Sequence, residues 1–225
     1  MRWRGDIDTG TDGTGSYRAT DEWPAHPRRL LTGAVIFDTM VPTSLAQANK
    51  TQMLRAAFGA RAHIPDRVRG EIMGHAEGDA RIRALFDPNW FAELHRLDRT
   101  GAQRAYDRQV GWRGPGAITA DPSKDRGEAE CHELAFQHPG WVVVSHDSNA
   151  LHHGKVTNVP VFGLPDVLIV IAANGECMPE SAWKIYEMMV AANPRCACRF
   201  WAADDDAHRD FVELCEELQA IVKAA

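Results

Sequence analysis

Two runs of apolar residues in this chain each end in an aspartate. Ala34–Phe37 lead straight into Asp38, and Val142–Val144 lead through Ser145 and His146 to Asp147. Val, Ile and Phe favour strands, and unbroken apolar runs of this kind suit strands buried on both faces. Such strands belong in a parallel sheet with helices above and below. Ligands of these sheets gather at the carboxyl ends of the strands, where both runs deliver a carboxylate. An acid at that edge is costly unless something charged meets it.

The remaining chain alternates in the same way. Helical spacing runs through Leu45, Met53, Leu54, Ala57 and Phe58, with Gly59 as the stop. A short strand, "RAHIP", is followed by a helix capped by Asp66, with Val68, Ile72 and Met73 on its apolar face. Residues 79–113 read as two or three helices, one of them starting at Pro88. "RGPGAITADP" reads as a loop and "SKDRGEAECHELAFQH" as a helix. "VTNVPVFG" is a third short strand, "LPDVLIVIAANG" a buried helix stopped by Gly175, and "MPESAWKIYEMMVAA" another helix. A last, acidic helix runs from about Asp204 to Val222. The expected organisation is an N-terminal extension over 1–32, an α/β domain over 33–192 and a C-terminal helical extension over 193–225. Residues 1–16, rich in Gly, Thr and Asp, are expected to be poorly ordered.

Composition narrows the function classes. A chain of 225 residues with 44% hydrophobic content supports one sizeable core. Its longest apolar run, Val167–Ala173, is far too short to cross a bilayer, and the start lacks the apolar segment of a signal peptide. Five cysteines without a disulfide spacing suit a reducing cytoplasm. The net charge of -6 argues at first against a nucleic-acid partner. The acidity is uneven, however. Residues 61–126 hold 12 Lys and Arg against 10 Asp and Glu, a net of +2, whereas residues 127–225 hold 6 against 15, a net of -9. Arginines such as Arg67, Arg96, Arg104 and Arg108 form either a solvated helix face or a local surface for a polyanion backbone.

Four acids stand out. Asp38 and Asp147 end strands, Glu71 lies early in a helix, and Glu128 follows Gly127 near the start of another. Each alone has a structural reading: Asp38 and Asp147 as N-caps, Glu71 as a solvated helix residue, Glu128 as a complement to the helix dipole. Together they make different sense. Carboxylates gathered at one sheet edge repel each other and need a cation, and hard oxygen ligands select Mg²⁺ or Mn²⁺. Such a cation suits hydrolysis of a phosphodiester.

Taken in order, these segments resemble the PIN-domain ribonucleases, which include the toxin ribonucleases of bacterial toxin–antitoxin pairs. "AVIFDTMV" looks like the family's opening strand and first acid, and "HIPDRVRGEI" like the strand, proline and helix that bring the second. "DRGEAECHELA" looks like the segment carrying the third acid, and "VVVSHDSNAL" like the one carrying the fourth. "NVPVFGLPDVLIVIAANGECMPESAW" resembles the closing strand and helix pair. The resemblance implies a three-layer α/β/α sandwich with a central parallel sheet. It implies metal-dependent hydrolysis of RNA, with Asp38, Glu71, Glu128 and Asp147 as catalytic and metal-binding acids. Ser145, Asn149 and Glu130 are weaker candidates; Glu130, two residues from Glu128 on a helix, faces away from it. A protein antitoxin and a second copy of the chain are the implied partners beside RNA, with no membrane involved. The chain departs from the family in its longer ends, in His146 at the middle of the fourth motif, and in its overall acidity.

Other readings stay open at this point. A dehalogenase-like phosphohydrolase needs a second Asp two residues after the first, where Met40 stands. A zinc site from Cys196, Cys198, His208 and Cys215 lacks the usual Cys spacing, and buried cysteines explain the set equally well. His146, His152 and His153 read as surface histidines before ligands. The rival of another class is a non-catalytic PIN-like module that binds RNA or protein.

Overall fold

The structure is a computed structural model that describes residues 26–86, 90, 91, 94–113, 116, 124–147, 150, 154, 157–198 and 205–225. Five strands form one parallel sheet: β1 (Val35–Phe37), β2 (Ala62–Pro65), β3 (Leu94–His95), β4 (Val142–Val144) and β5 (Val161–Phe162). Their order is β3-β2-β1-β4-β5. The chain therefore builds outward from β1 in one direction, then returns to its other side with β4. Such a reversal opens a crevice at the carboxyl ends of the two strands that flank it. Here those strands are β1 and β4, the two that end in aspartate.

Every residue of β1 and β4 is buried, which accounts for their unbroken apolar character. Register assigns the faces. Val35, Ile36 and Phe37 pair with Val142, Val143 and Val144, and the Asp38 N–H continues the ladder by donating to the Val144 carbonyl at 2.9 Å. Side chains alternate along a strand. Asp38 thus projects from the face of Ile36, and Ser145 from the matching face of Val143. Phe37 takes the opposite face, where its ring meets Phe58 edge-on at 5.3 Å.

The helices are α1 (Arg29–Thr32), α2 (Met40–Gln47), α3 (Thr51–Phe58), α4 (Asp66–Ala76), α5 (Ala80–Arg83), α6 (Arg99–Arg113), α7 (Arg126–Gln137), α8 (Leu164–Ala173), α9 (Pro179–Ala192) and α10 (Asp205–Ala224). Helix α7 lies across β1, β2 and β4, and α6 packs on α7. The joint between them is ionic: fully buried Glu133 on α7 receives hydrogen bonds from Arg104 and Arg108 on α6 and from Gln137. Helix α3 covers the other face, followed by α8, which is buried on all sides and packs against α3, α9 and α10. The result is an α/β/α sandwich. The Gly163 N–H donates to the Asp166 carboxylate at 2.8 Å at the start of α8, satisfying a helix-end donor in an otherwise apolar setting. The C-terminal segment belongs to this core, because α10 buries Phe211, Leu214, Cys215 and Leu218 completely.

Three local expectations change. The helix expected through Leu45 to Phe58 is two helices, α2 and α3, broken where Asn49 adopts a left-handed backbone (φ 58°) that a helix cannot hold. Asp66 is the first residue of α4 and makes no capping bond; its carboxylate reaches Arg96 instead, at 3.0 Å. Where a helix from Pro88 was expected, Trp90 and Phe91 lie in a bend and Leu94–His95 form β3, paired to Ile64 and Pro65. Pairing with the open side of β2 outweighs local helix propensity there. Pro88 itself, and the expectation for residues 1–16, lie outside the described residues. Among the described residues no helix is long and apolar enough to cross a membrane.

Candidate metal centre

The crevice between β1 and β4 gathers carboxylates from four parts of the chain. Asp38 follows β1 and Asp147 follows β4. Glu71 comes from the second turn of α4, and Glu128 from the first turn of α7. Two hydroxyls organise them. Ser145 Oγ donates to Asp38 Oδ2 at 3.2 Å and accepts from the Asp147 N–H at 3.2 Å, so one side chain links both strand ends. Thr39 Oγ1 donates to Glu71 Oε2 at 2.6 Å, tying the residue after Asp38 to the acid on α4.

The first turn of α7 is shaped for this contact. A Cβ at Gly127 would stand 3.1 Å from both carboxylate oxygens of Glu71 and from Val68 Cγ2. Glycine therefore lets α7 approach α4 closely enough for Glu128 to enter the crevice beside Glu71. Gly127→Ala would ordinarily favour the helix by about 1 kcal/mol. Here it must push Glu71 aside. The expected outcome is a loss of Mn²⁺ affinity of about tenfold or more with little change in thermal midpoint, read by calorimetric titration and by thermal unfolding in chelator.

Sequence reasoning missed one acid. Asp125 precedes α7 with a left-handed backbone (φ 60°), a conformation that Asp tolerates better than most residues. Ligand oxygens of Asp125, Glu128 and Asp147 all lie within 4.8 Å of one another. This is the tightest potential ligand group among the described residues, and Asp38 and Glu71 stand outside it. The clue lay in "DRGE", where Asp125 sits three residues before Glu128 at a helix start.

Electrostatics shows these groups acting on one another. Burial pushes the Asp38 carboxyl up to about 6; hydrogen bonds from Thr39 and Ser145 oppose that rise, and Glu71 and Asp147 add to it. Burial pushes Glu128 well above the carboxylate range, with further contributions from Asp147, Asp38 and Asp125. Only 4% of Glu128 is exposed, and its Oε1 has no hydrogen-bond partner among the described residues. A buried carboxylate oxygen without a partner, facing other acids, is an unfavourable arrangement in isolation. A hard divalent cation resolves it, since every donor here is an oxygen. The residues present fit Mg²⁺ or Mn²⁺.

The weaker candidates separate. Ser145 is an organising hydroxyl of the crevice. Glu130 turns away from Glu128 and faces Arg126 at 3.5 Å. Asn149, like His152 and His153, lies outside the described residues. His146 is half-buried: its ring nitrogens lie away from solvent, partial burial lowers its imidazole to about 4, and neither ring nitrogen has a partner among the described residues. The structural reading of Asp38 as a helix cap fails, because Thr39 occupies the cap position of α2 and no side chain caps it. The cysteine-rich set does not gather as a metal site among the described residues. Cys196 Sγ contacts Ser44 Oγ at 3.4 Å, the Cys198 N–H donates to the Tyr186 hydroxyl at 3.0 Å, and His208 stacks on Trp183.

Comparison with family models, with curated proteins and with solved structures finds no match to this chain.

Proposed function

We propose that this chain is a metal-dependent endoribonuclease that hydrolyses RNA phosphodiesters. The observation that carries the reading is Glu128. A side chain that is almost wholly buried presents an unpartnered carboxylate oxygen to a crevice that already holds other acids. Asp125, Glu128 and Asp147 would hold the cation, with Asp38 and Glu71 at its margin or around a second ion. When bound, Mg²⁺ or Mn²⁺ supplies an activated water and neutralises charge that develops on the phosphate.

The protein's own contribution is placement. Ser145 fixes the direction of the Asp38 carboxylate, and Thr39 fixes that of Glu71. The raised affinity of Asp38 for a proton suits it to take one up near neutral pH. Burial of Glu128 keeps bulk water from the inner wall of the crevice. The segment order that resembles the PIN-domain ribonucleases supports RNA as the substrate class. It also supports a toxin-like role in the cytoplasm, with a protein antitoxin or a second copy of the chain as partner.

The test is cleavage of end-labelled RNA by the purified protein. Cleavage in Mn²⁺ that stops in chelator is the expected result. Binding of RNA without cleavage in Mg²⁺ or Mn²⁺ would instead favour the non-catalytic module.

A further inference from the structure

A groove of about 850 Å³ opens beside the acid crevice, between α4, α7 and the segment that joins β3 to α6. Arg67, Arg96 and Arg126 line it, together with Asp66, Glu71 and Glu130. Glu71 therefore belongs to both the groove and the crevice.

The six charges form three pairs with one geometry. Arg96 Nε lies 3.0 Å from Asp66, Arg67 Nε 3.5 Å from Glu71, and Arg126 Nε 3.5 Å from Glu130. In each pair the closest approach runs through Nε, and at 3.5 Å the buried Arg67 Nε makes an ion-pair contact with Glu71 without a hydrogen bond. A planar guanidinium fork matches phosphate oxygens in a bidentate way. Glu130 on α7 also feels the charge of Arg67 at the start of α4 and holds Arg126 over the groove. Half-exposed pairs of this kind contribute little to stability, so a phosphate can take the arginine without a large loss.

Three cations against three anions leave the groove neutral. A cation in the crevice, at whose margin Glu71 stands, changes that balance. It draws on the Glu71 carboxylate and weakens the hold of Glu71 on Arg67. We propose that the groove is a track for a single-stranded phosphodiester backbone, and that metal at the acid crevice switches its affinity by releasing Arg67 from Glu71. The inference rests on reading the crevice as a metal centre. With the cation in place the groove becomes more positive and the backbone binds more tightly. Linkage makes the effect reciprocal, so the backbone tightens the cation by the same factor.

The test is fluorescence anisotropy with a labelled single-stranded DNA oligonucleotide, with Ca²⁺ or chelator present. Calorimetric titration of Ca²⁺ and Mn²⁺ into the same protein runs beside it. Ca²⁺ should tighten the oligonucleotide about tenfold. Arg96→Ala and Arg126→Ala should each weaken it and flatten the salt dependence by about 0.7 in the log–log slope, with the response to Ca²⁺ retained. Arg67→Ala should shrink that response. Glu71→Gln is the decisive variant: it should tighten the oligonucleotide in chelator, where loss of a site residue would ordinarily do nothing or harm. If the cations give no binding heat, the metal reading of the crevice fails. If they bind and the oligonucleotide does not respond, and Glu71→Gln in chelator is no tighter than wild type, the groove proposal fails and the metal centre stands. Competition by poly-glutamate as effective as that by unlabelled oligonucleotide would make the occupant an acidic peptide and overturn the phosphodiester assignment.

Discussion

Asp38→Asn is expected to slow Mn²⁺-dependent RNA cleavage by more than about 100-fold while making the metal-free protein more stable. The two effects share one cause. The folded state raises the Asp38 pKa from 3.8 to about 6, through burial and through Glu71 and Asp147. A raised carboxyl pKa means that folding favours the protonated form. Below about pH 4 the group is protonated in both states and costs nothing; above about pH 6 it is charged in both, and the full penalty applies. That penalty approaches about 3 kcal/mol at neutral pH, since a tenfold change in proton affinity corresponds to about 1.4 kcal/mol. Asn keeps the shape and can still accept from Ser145, yet carries no charge. In chelator at pH 7 its thermal midpoint should therefore exceed that of the wild type, and the difference should vanish near pH 4. In Mn²⁺ the order narrows or reverses, because the wild type gains binding energy that the variant lacks. Thermal unfolding across pH, with and without Mn²⁺, checks the stability, and labelled RNA checks the rate. Equal cleavage rates would remove Asp38 from the centre.

The parallel sheet was legible because β1 and β4 announce themselves. Val35, Ile36, Phe37 and the three valines from Val142 are buried on both sides, as short β-branched runs in a covered sheet are. Position at the carboxyl edge followed for Asp38 and Asp147. What the sequence could not show was the strand order. The crevice exists because β4 returns to the far side of β1, and that choice depends on pairings between residues more than a hundred positions apart. β3 was hidden for a related reason: two residues paired to Ile64 and Pro65 leave no periodicity to detect.

Site residues divided along the same line. Asp38 and Glu128 carry local signals, one at a strand end and one after a helix-starting glycine. Asp125 carries almost none, because its role depends on a left-handed turn that points it toward Glu128 and Asp147. Glu130 illustrates what helical spacing alone can establish. Its direction, away from Glu128, was readable, but its surroundings were not: Arg126 lies one turn earlier on α7, while the charge of Arg67 comes from α4. The arginine-rich middle of the chain likewise resolved only in three dimensions. Arg104 and Arg108 turned inward to meet Glu133, whereas Arg67, Arg96 and Arg126 line an open groove.

Glu128 gives the sharpest contrast between stability and function. Glu128→Met replaces a buried, raised-pKa carboxyl by an apolar side chain of similar length. Burying a polar group without a partner costs about 1–3 kcal/mol in proteins, and the Oε1 atom is in that position. The variant should therefore gain about 2 kcal/mol in chelator, measured by urea denaturation. It should lose the stabilisation that Mn²⁺ confers on the wild type, which reaches about 2.7 kcal/mol when the cation is at a hundred times its dissociation constant. Glu128→Gln separates charge from packing. An amide keeps the volume and is uncharged at every pH, so it should abolish the cation response as fully as Met does. Its stability should fall short of the Met variant, because it leaves polar atoms in the same dry wall. If Glu128 were only a complement to the α7 dipole, as a first-turn acid can be, both replacements would cost stability of about 0.3–1 kcal/mol and leave the Mn²⁺ response intact. Stabilisation in chelator together with loss of the Mn²⁺ response is the pairing that a helix-dipole role does not produce, and a retained Mn²⁺ response in both variants would take Glu128 out of the centre.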